Sequence, residues 1–305
     1  MILALDIGGT AVKLGFIDKE GNLHARHMAD IRFDGYRTPI FVTVLQAIDH
    51  FIREYPYRFE GIAVSATGQI ETSTGVVIGT NGKIPNYEGT NLKGGLEEKY
   101  GVKTWVLNDA NAAALGESFI GRAKGIKNAV MITIGTGVGG GVICNGKLLE
   151  GSRGIGGEVG HIPLYANGVL CGCGARGCYE NYASTTALIR RCEEASGFSG
   201  LNGKLIFNLA AQDNPAIKAA LHAWILDVAA GVRGLVHLFN PQMVLIGGGV
   251  SAQKELLIRP LRDEIFKQIM PRFREGLQIE QAALGNDAGM FGAVRFWLDR
   301  EEVTG

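Results

Sequence analysis

Two glycine-rich turns, each joining a pair of apolar strands, carry the most specific chemistry in the sequence. The first reads DIGGT at positions 6–10 and the second TGVGGG at positions 136–141. Glycine lets backbone N–H groups approach phosphate oxygens closely, and an aspartate at a strand end can hold Mg²⁺ or its waters. Because this strand–turn–strand pattern occurs twice, the sequence predicts a duplicated fold with two phosphate-binding turns. The predicted binding residues are Asp6, Gly8, Gly9, Thr10, Thr136 and Gly137.

Two further features extend the predicted nucleotide site. Gly248 and Gly249 follow a buried strand at 243–246, and we expect them to pass under a nucleotide base or ribose. The alternative is an ordinary tight strand-to-helix turn. Lys13 follows the first turn by three residues and faces either phosphate or solvent.

An acidic residue stands where a strand at 103–108 gives way to a helix. Asp109 follows Asn108 directly. A carboxylate at such a junction can take the proton of an attacking hydroxyl, while Asn108 would hold neighbouring hydroxyls in register. The alternative is that Asp109 only caps the alanine-rich helix at 110–119.

One histidine and three cysteines lie close together in a glycine-rich stretch at 150–182. His161, Cys171, Cys173 and Cys178 form a Cys₃His set, which suits four-coordinate structural Zn²⁺. The alternative is a group of free cysteines. Cys144 and Cys192 are predicted to be core residues.

Two glutamates flank the metal-binding stretch. Glu158 precedes His161 by three residues, and Glu180 follows Cys178 by two. Carboxylates accept hydrogen bonds from vicinal sugar hydroxyls, so both are candidate sugar-binding residues that the zinc loop would orient. The alternative is that both are solvated loop residues.

The elements that must position these residues form the same order twice. Strands are predicted at 2–7, 11–18, 22–30, 60–66 and 103–108, with helices at 39–54, 91–100 and 110–119. The second half restarts with strands at 128–134 and 138–145, helices at about 183–196 and 215–239, and a final helix at 288–300 that returns to the first half. We predict two α/β lobes around a cleft, 1–118 plus 287–305 and 119–286.

The bulk composition narrows the function classes. The 305 residues carry 30 Lys+Arg and 30 Asp+Glu, a balance that argues against a nucleic-acid or anionic-membrane partner. We find no run of roughly 18 apolar residues and no signal peptide. An odd count of 5 cysteines, three of them clustered, suits metal binding in a reducing cytoplasm.

Taken together, these motifs resemble the ROK family (repressors, open reading frames and sugar kinases) across essentially the whole chain. The most specific stretch is CGCGARGCYE at 171–180. The resemblance implies a two-lobed actin-like ATPase fold, a duplicated ribonuclease H-like α/β architecture, and Asp109 as the catalytic base. It also implies that Asn108, Glu158, His161 and Glu180 bind sugar, that His161 and the three cysteines hold zinc, and that the protein is a homodimer.

The resemblance implies an ATP- and Mg²⁺-dependent transferase acting on the 6-hydroxyl of a hexose or hexose derivative. Two stretches differ from the pattern of glucose-specific members, SATGQ at 65–69 and PNYEG at 85–89. The resemblance therefore does not fix the identity of the sugar substrate. Asn86, in the second stretch, can still reach the sugar. One alternative is a sugar-responsive transcriptional repressor of the same family. Its members carry a DNA-binding domain before the first strand, whereas here DIGGT begins at residue 6. Another is a sugar-binding protein without catalysis.

Overall fold

The computed structural model describes residues 1–32, 34–80 and 84–304. They form two compact units, each with its own sheet. The first comprises Met1–Gly125, Leu148–Gly156 and Asn286–Gly305, and the second Ile126–Lys147 and Gly157–Gly285. The predicted division into functional lobes at 118/119 and 286/287 stays a prediction, with the segment 148–156 grouped here with the first unit.

Each unit contains a five-stranded mixed sheet, and the two sheets have the same strand order. The first is ordered β3-β2-β1-β4-β7 and the second β10-β9-β8-β11-β12. In the first, β1 is antiparallel to β2 and parallel to β4; in the second, β8 is antiparallel to β9 and parallel to β11. The strands are β1 Ile2–Ile7, β2 Ala11–Ile17, β3 Leu23–Asp30, β4 Gly61–Ala66, β5 Gln69–Glu71, β6 Val76–Gly79, β7 Lys103–Asn108, β8 Ala129–Ile134, β9 Val138–Cys144, β10 Lys147–Leu148, β11 Met243–Gly247 and β12 Gln278–Gln281.

The burial of the strands explains their positions in the sheets. Every residue of β4 is buried, as expected for a central parallel strand covered on both faces. By contrast β3 alternates between buried or half-buried and exposed residues over much of its length, which suits an edge strand with one solvated face. The same logic places the fully buried β11 inside the second sheet.

Polar residues begin most of the helices that pack on these sheets. The side chains of Asn91, Asn108, Ser184, Asn202 and Asn214 each accept a hydrogen bond from a first-turn N–H. The helices are α1 Ile40–Glu54, α2 Leu92–Tyr100, α3 Asp109–Phe119, α4 Glu180–Ala183, α5 Thr185–Ser196, α6 Gly203–Ala211, α7 Pro215–Phe239, α8 Arg259–Gln268 and α9 Ala288–Thr304.

The last helix packs within the first unit, as the sequence predicts. Helix α9 lies against α3, and the two backbones approach so closely that a Cβ on Gly292 would lie 1.6 Å from the Ala112 carbonyl oxygen. A side chain there would force the helices apart. This packing returns the C-terminal segment to the sheet that begins the chain.

Most predicted elements are present, with three differences. The helix predicted at 183–196 is two helices, α4 and α5, separated by Ser184. Sequence analysis missed β5, β6, β10, β12, α6 and α8, most of them short elements with weak periodicity. Pro39 is the N-cap residue of α1 rather than part of its first turn.

Helix α7 is the one described helix that is long and apolar enough to cross a membrane. Its mean hydropathy reaches 1.4 over the most apolar 18-residue window, and 61% of that window is buried inside the protein. Trp224 and Val228, both fully buried, belong to the core of the second unit. Its apolar character is therefore accounted for by packing in that core.

Candidate functional site

The first glycine turn, between β1 and β2, is organised around the Asp6 carboxylate. Lys13 Nζ lies 2.7 Å from Asp6 Oδ2, and Ser65 Oγ donates to Asp6 Oδ1 at 2.7 Å. Lys13 also donates to the Asn286 carbonyl oxygen at 2.5 Å. Among the predicted phosphate-binding residues, Asp6 and Lys13 are therefore directly paired. Charge-assisted contacts of this kind fix both side chains.

The glycines of this turn leave its outer face open. The Gly8 N–H bonds to the Ala11 carbonyl oxygen at 3.0 Å and closes the turn, while Thr10 is exposed. A Cβ on Gly9 would meet nothing nearer than the Ile84 side chain at 3.9 Å among the described atoms. The turn thus offers backbone and hydroxyl donors to a ligand.

At the strand-to-helix junction the structure corrects one assignment. Asn108, not Asp109, is the N-cap of α3: its Oδ1 accepts from the N–H groups of Ala110 and Asn111 at 2.9 and 3.1 Å. Asp109 is the first helical residue. Asparagine competes for this role because its short side chain reaches the same donors. Capping therefore does not account for Asp109.

Asn108 also orients the neighbouring acid. Its Nδ2 donates to the Gly68 carbonyl oxygen at 2.9 Å and to Asp109 Oδ1 at 3.1 Å. Asp109 Oδ1 accepts a second hydrogen bond from the Ala110 N–H at 2.8 Å. One oxygen of the carboxylate is thus held in a defined position at the end of β7, as a general base requires.

The predicted sugar-binding Asn86 lies in a loop of the first unit that follows the undescribed residues 81–83. It is exposed and has a φ of 56°, a left-handed conformation that asparagine tolerates better than most residues. Its neighbour Tyr87 is buried, and its hydroxyl has no hydrogen-bond partner among the described residues. Burial raises the pKa of Tyr87, and the negative charge of Asp109 raises it further.

The second glycine turn, between β8 and β9, is held by the first residues of α5. The Thr185 N–H donates to the Gly135 carbonyl oxygen at 2.8 Å, and Thr186 Oγ1 donates to the Thr136 carbonyl oxygen at 2.8 Å. A Cβ on Gly137 would lie 2.5 Å from Glu180 Oε2. Backbone and hydroxyl groups therefore hold this turn, in contrast to the ion pair of the first.

A cavity of about 600 Å³ lies beside the second turn, within the second unit. Ile189 and Phe207 form apolar walls, which suit a planar base. Polar groups around it can fix a ligand's orientation. It is lined by Ile134, Gly135, Thr136, Thr185, Thr186, Ile189, Asn202, Gly203, Lys204, Phe207, Gly249, Val250 and Gln253.

The two predicted glycines after β11 have different surroundings. Gly249 lines the cavity. Gly248 has a φ of 88°, and a Cβ there would lie 2.1 Å from the Ile134 carbonyl oxygen, so it permits close contact with the end of β8. Thr136 lines the cavity, whereas Gly137 contacts Glu180.

The four predicted metal ligands are brought together. One ligand atom from each of His161, Cys171, Cys173 and Cys178 lies within 4.8 Å of the others, a group that could hold a metal ion. Cys171 Sγ is 3.7 Å from His161 Nδ1, and Cys173 Sγ is 3.6 Å from Cys178 Sγ. Three thiols and one imidazole match the donor set of a structural zinc site.

Turn geometry in the loop explains the approach of the cysteines. The Cys171 N–H bonds to the Ala175 carbonyl oxygen at 2.8 Å, closing a tight turn in which Gly174 has a φ of 90°. A Cβ on Gly177 would lie 1.6 Å from the Tyr165 carbonyl oxygen. Glycine is needed at both positions, for backbone conformation at one and for space at the other.

The local surroundings set the thiol pKa values apart. Burial raises the pKa of Cys171 to about 12 and also raises that of Cys178. A backbone hydrogen bond from Ala175 lowers the pKa of Cys173. A buried thiol resists ionisation until a cation compensates its charge, which is the condition that a bound divalent metal supplies.

Both predicted sugar-binding glutamates lie beside His161, the histidine of the predicted metal site. Glu158 Oε2 is 4.0 Å from His161 Nε2, while Glu180 Oε1 is 3.8 Å from His161 Nδ1 and 3.3 Å from Cys171 Sγ. The two ring nitrogens thus face different neighbours, Nδ1 the thiol and Nε2 the Glu158 carboxylate. This arrangement allows one nitrogen for a metal and one for a hydroxyl.

Several residues of the site were not predicted. Ser65, fully buried below Asp6, is paired with it across the parallel strands β1 and β4, so aligning the two strand ends would have revealed it. Thr185, Thr186 and Gln253 line the cavity from segments with no motif. Their only signal is proximity in the folded chain.

Comparison with known proteins gives the family. The ROK family model matches residues 2–300. The glucokinase of Thermotoga maritima is 32% identical over 98% of both chains. A ROK family glucokinase from Streptomyces griseus, solved with glucose and AMPPNP, is 30% identical, with a TM-score of 0.83 over 97% of this chain and 98% of that one. Lmo2764 of Listeria monocytogenes, a putative N-acetylmannosamine kinase, is 29% identical, with a TM-score of 0.85 over 98% and 99%.

Relatives of another functional class also match. The xylose repressor of Bacillus subtilis is 30% identical over 84% of this chain and 66% of its own length. The solved kinases confirm the predicted actin-like ATPase fold with its duplicated mixed sheets. With a family model spanning nearly all of its length and relatives at this level of identity, the chain belongs to the ROK family.

Proposed function

We propose that this protein is an ATP-dependent sugar kinase that transfers the γ-phosphoryl group of MgATP to the 6-hydroxyl of a hexose or hexose derivative. The observation that carries the proposal is the placement of Asp109 at the first position of α3, with Asn108 capping the helix in its stead. The glucokinase relatives support the same activity.

In the proposed reaction Asp109 is the general base. The sugar oxygen attacks the γ-phosphorus, the bond from that phosphorus to the β,γ-bridging oxygen breaks, and the hydroxyl proton passes to the Asp109 carboxylate. The products are the sugar 6-phosphate and ADP. The contacts of Asp109 Oδ1 with Asn108 and Ala110 support this role, since they orient the carboxylate.

We assign the nucleotide to the cavity beside the second turn. The apolar walls at Ile189 and Phe207 suit the base, and Thr136 and Gly249 line the same cavity. Together with Gly137 and Gly248 they would contact the phosphates and ribose. Asp6, Gly8, Gly9, Thr10 and Lys13 serve the terminal phosphates. Both Asp6 oxygens already accept hydrogen bonds, so this carboxylate would hold Mg²⁺ through its bound waters.

The zinc loop is assigned to sugar recognition. His161, Cys171, Cys173 and Cys178 would hold the Zn²⁺, which supplies structural order and no reaction step. Glu158, Glu180 and His161 Nε2 would accept or donate hydrogen bonds at the anomeric end of the sugar, with Asn86 and Asn108 as further contacts. An unsubstituted hexose is favoured over a 2-acetamido sugar, since glucokinases are among the relatives.

The proposal is tested by measuring ADP release from the purified protein with a panel of hexoses, amino sugars and glucosides. We expect one sugar class to give turnover well above the sugar-free rate, and NMR of its product to show phosphate on the primary hydroxyl. Phosphate on another carbon would contradict the proposed orientation. Absence of turnover with every sugar would contradict kinase activity.

The similarity to xylose repressors supports a second candidate, a sugar-responsive regulator. Such a protein would bind sugar but would release no ADP, so the same panel with calorimetry separates the two functions. The proposed kinase would be cytoplasmic, because its substrate ATP is found there. The proposed homodimer is tested by light scattering of the purified protein.

A further inference from the structure

Gly137 is the point where the second glycine turn meets the sugar-binding side of the second unit. A Cβ built on this glycine would lie 2.5 Å from Glu180 Oε2, a separation that real Cβ contacts do not reach. Nothing else among the described atoms lies within 4 Å of that position apart from Glu180 Cδ at 3.7 Å. The space that glycine leaves is therefore occupied by one carboxylate oxygen.

The other oxygen of the same carboxylate faces the metal-binding cluster. Glu180 Oε1 is 3.3 Å from Cys171 Sγ and 3.8 Å from His161 Nδ1, and the Glu180 side chain is only 17% exposed. Glu180 thus spans from the phosphate turn to the cysteine cluster. Any displacement at one end of the carboxylate must be felt at the other, since the group is rigid.

We propose that Gly137 is a specificity-determining position for the sugar: its missing side chain sets where the Glu180 carboxylate lies. This inference rests on the proposed function and assigns to a residue of the nucleotide turn a second role, in sugar binding. Glu180 is the contact residue and Gly137 the positioning residue.

The geometry also predicts which property a side chain at this position changes. Gly137 has no left-handed φ, so alanine fits its backbone without strain. The clashing atom is the far end of a flexible side chain, which can rotate away. Alanine should therefore leave the fold intact and displace the carboxylate, and misplacement of a positioning group by about 1 Å costs on the order of 10²-fold.

The chain offers a matched control two residues away. Gly135 belongs to the same turn and also lacks a left-handed φ, but no described atom lies within 4 Å of its Cβ position. It lines the nucleotide cavity, so its substitution can alter ATP binding. Gly135→Ala thus adds the same methyl group to the same turn without touching Glu180.

The experiment measures the KM for sugar and for ATP in Gly137→Ala and Gly135→Ala, with the sugar that the wild-type protein phosphorylates. We expect Gly137→Ala to raise the sugar KM about 10–100-fold, a larger factor than any rise in the ATP KM that the added methyl group causes in the phosphate turn. Gly135→Ala should leave the sugar KM within about twofold of wild type. A rise in the ATP KM alone, or no change, in Gly137→Ala overturns the inference.

A second variant tests the mechanism. Glu180→Asp shortens the side chain and should relieve the contact in the Gly137→Ala background. The sugar KM of the double variant should therefore rise by less than the product of the fold-increases measured for the two single variants. Strictly multiplicative effects overturn the inference. Crystal structures of both alanine variants report the Glu180 position without requiring activity. An unmoved carboxylate in Gly137→Ala refutes this inference, whereas inactive wild-type protein refutes the proposed function.

Discussion

The two glycine turns occupy equivalent positions in sheets of the same topology, yet they are held by different chemistry. The β1–β2 turn is held by a half-buried ion pair between Lys13 and the Asp6 carboxylate, which also accepts a hydrogen bond from Ser65. The β8–β9 turn is fixed through neutral groups, by Thr185 and Thr186 on its carbonyl oxygens. Both turns therefore join equivalent strands, whereas the side chains that hold them differ.

This difference indicates which part of the proposed reaction each unit would serve. The first unit gathers charged groups and an oriented carboxylate at Asp109, which is what proton transfer and phosphate charge require. The second unit gathers an apolar cavity and a cysteine cluster, which is what binding and ordering require. A substitution at Asp109 should therefore reduce turnover, whereas substitutions at the cavity or the cysteine cluster should reduce affinity or stability.

The largest effect is expected at Asp109. Asp109→Asn should lower turnover by about 10²–10⁴ and leave the sugar KM within a few-fold, because only the proton acceptor is removed. Asparagine can still accept from the Ala110 N–H, so α3 should begin normally. Steady-state kinetics with the identified sugar measures this. Near wild-type turnover would exclude Asp109 as the base.

A large effect on stability is expected in the second unit. Cys173→Ser should lose the metal and lower the free energy of unfolding by about 4 kcal/mol, since loss of a structural metal is among the most destabilising changes. Elemental analysis and thermal unfolding measure the two effects. Cys144→Ser is the control and should retain one zinc per chain, because Cys144 lies outside the cluster; it is exposed at the end of β9, so the prediction that it is a core residue was wrong. Wild-type protein that is fully active without zinc would rule out the structural metal.

An intermediate effect is expected at Ser65. Ser65→Ala removes a buried hydrogen bond to a charged acceptor, and bonds of this kind contribute about 1.5–3 kcal/mol. The free energy of unfolding should fall by that amount, as measured by denaturant titration. An unchanged midpoint would show that Lys13 alone is enough to hold Asp6.

The smallest effect is expected at the equivalent contact of the second turn. Thr186→Val keeps the shape of the side chain and removes a neutral, exposed hydrogen bond to the Thr136 carbonyl oxygen. The free energy of unfolding should fall by about 0.5–1.5 kcal/mol. Loss of this hydrogen bond should also raise the ATP KM a few-fold. A larger fall in the free energy of unfolding than that of Ser65→Ala would reverse the contrast drawn between the two turns.

The sequence by itself determined the features that depend on neighbouring residues. Strand and turn patterns gave β1 and β7 with the bounds found in the structure, because an apolar run stopped by glycine or by an N-cap residue is a local signal. The spacing of His161 and the three cysteines predicted their convergence, because a short glycine-rich loop can bring its own residues together.

Tertiary structure decided the contacts between residues far apart in the chain. Asn108, which caps α3 in place of Asp109, also donates to the carbonyl oxygen of Gly68, 40 residues away in the chain. Ser65 under Asp6, Thr186 on Thr136 and Glu180 against Gly137 join segments 43 to 59 residues apart. No periodicity records such pairs, because they arise only when whole strands and helices pack against one another.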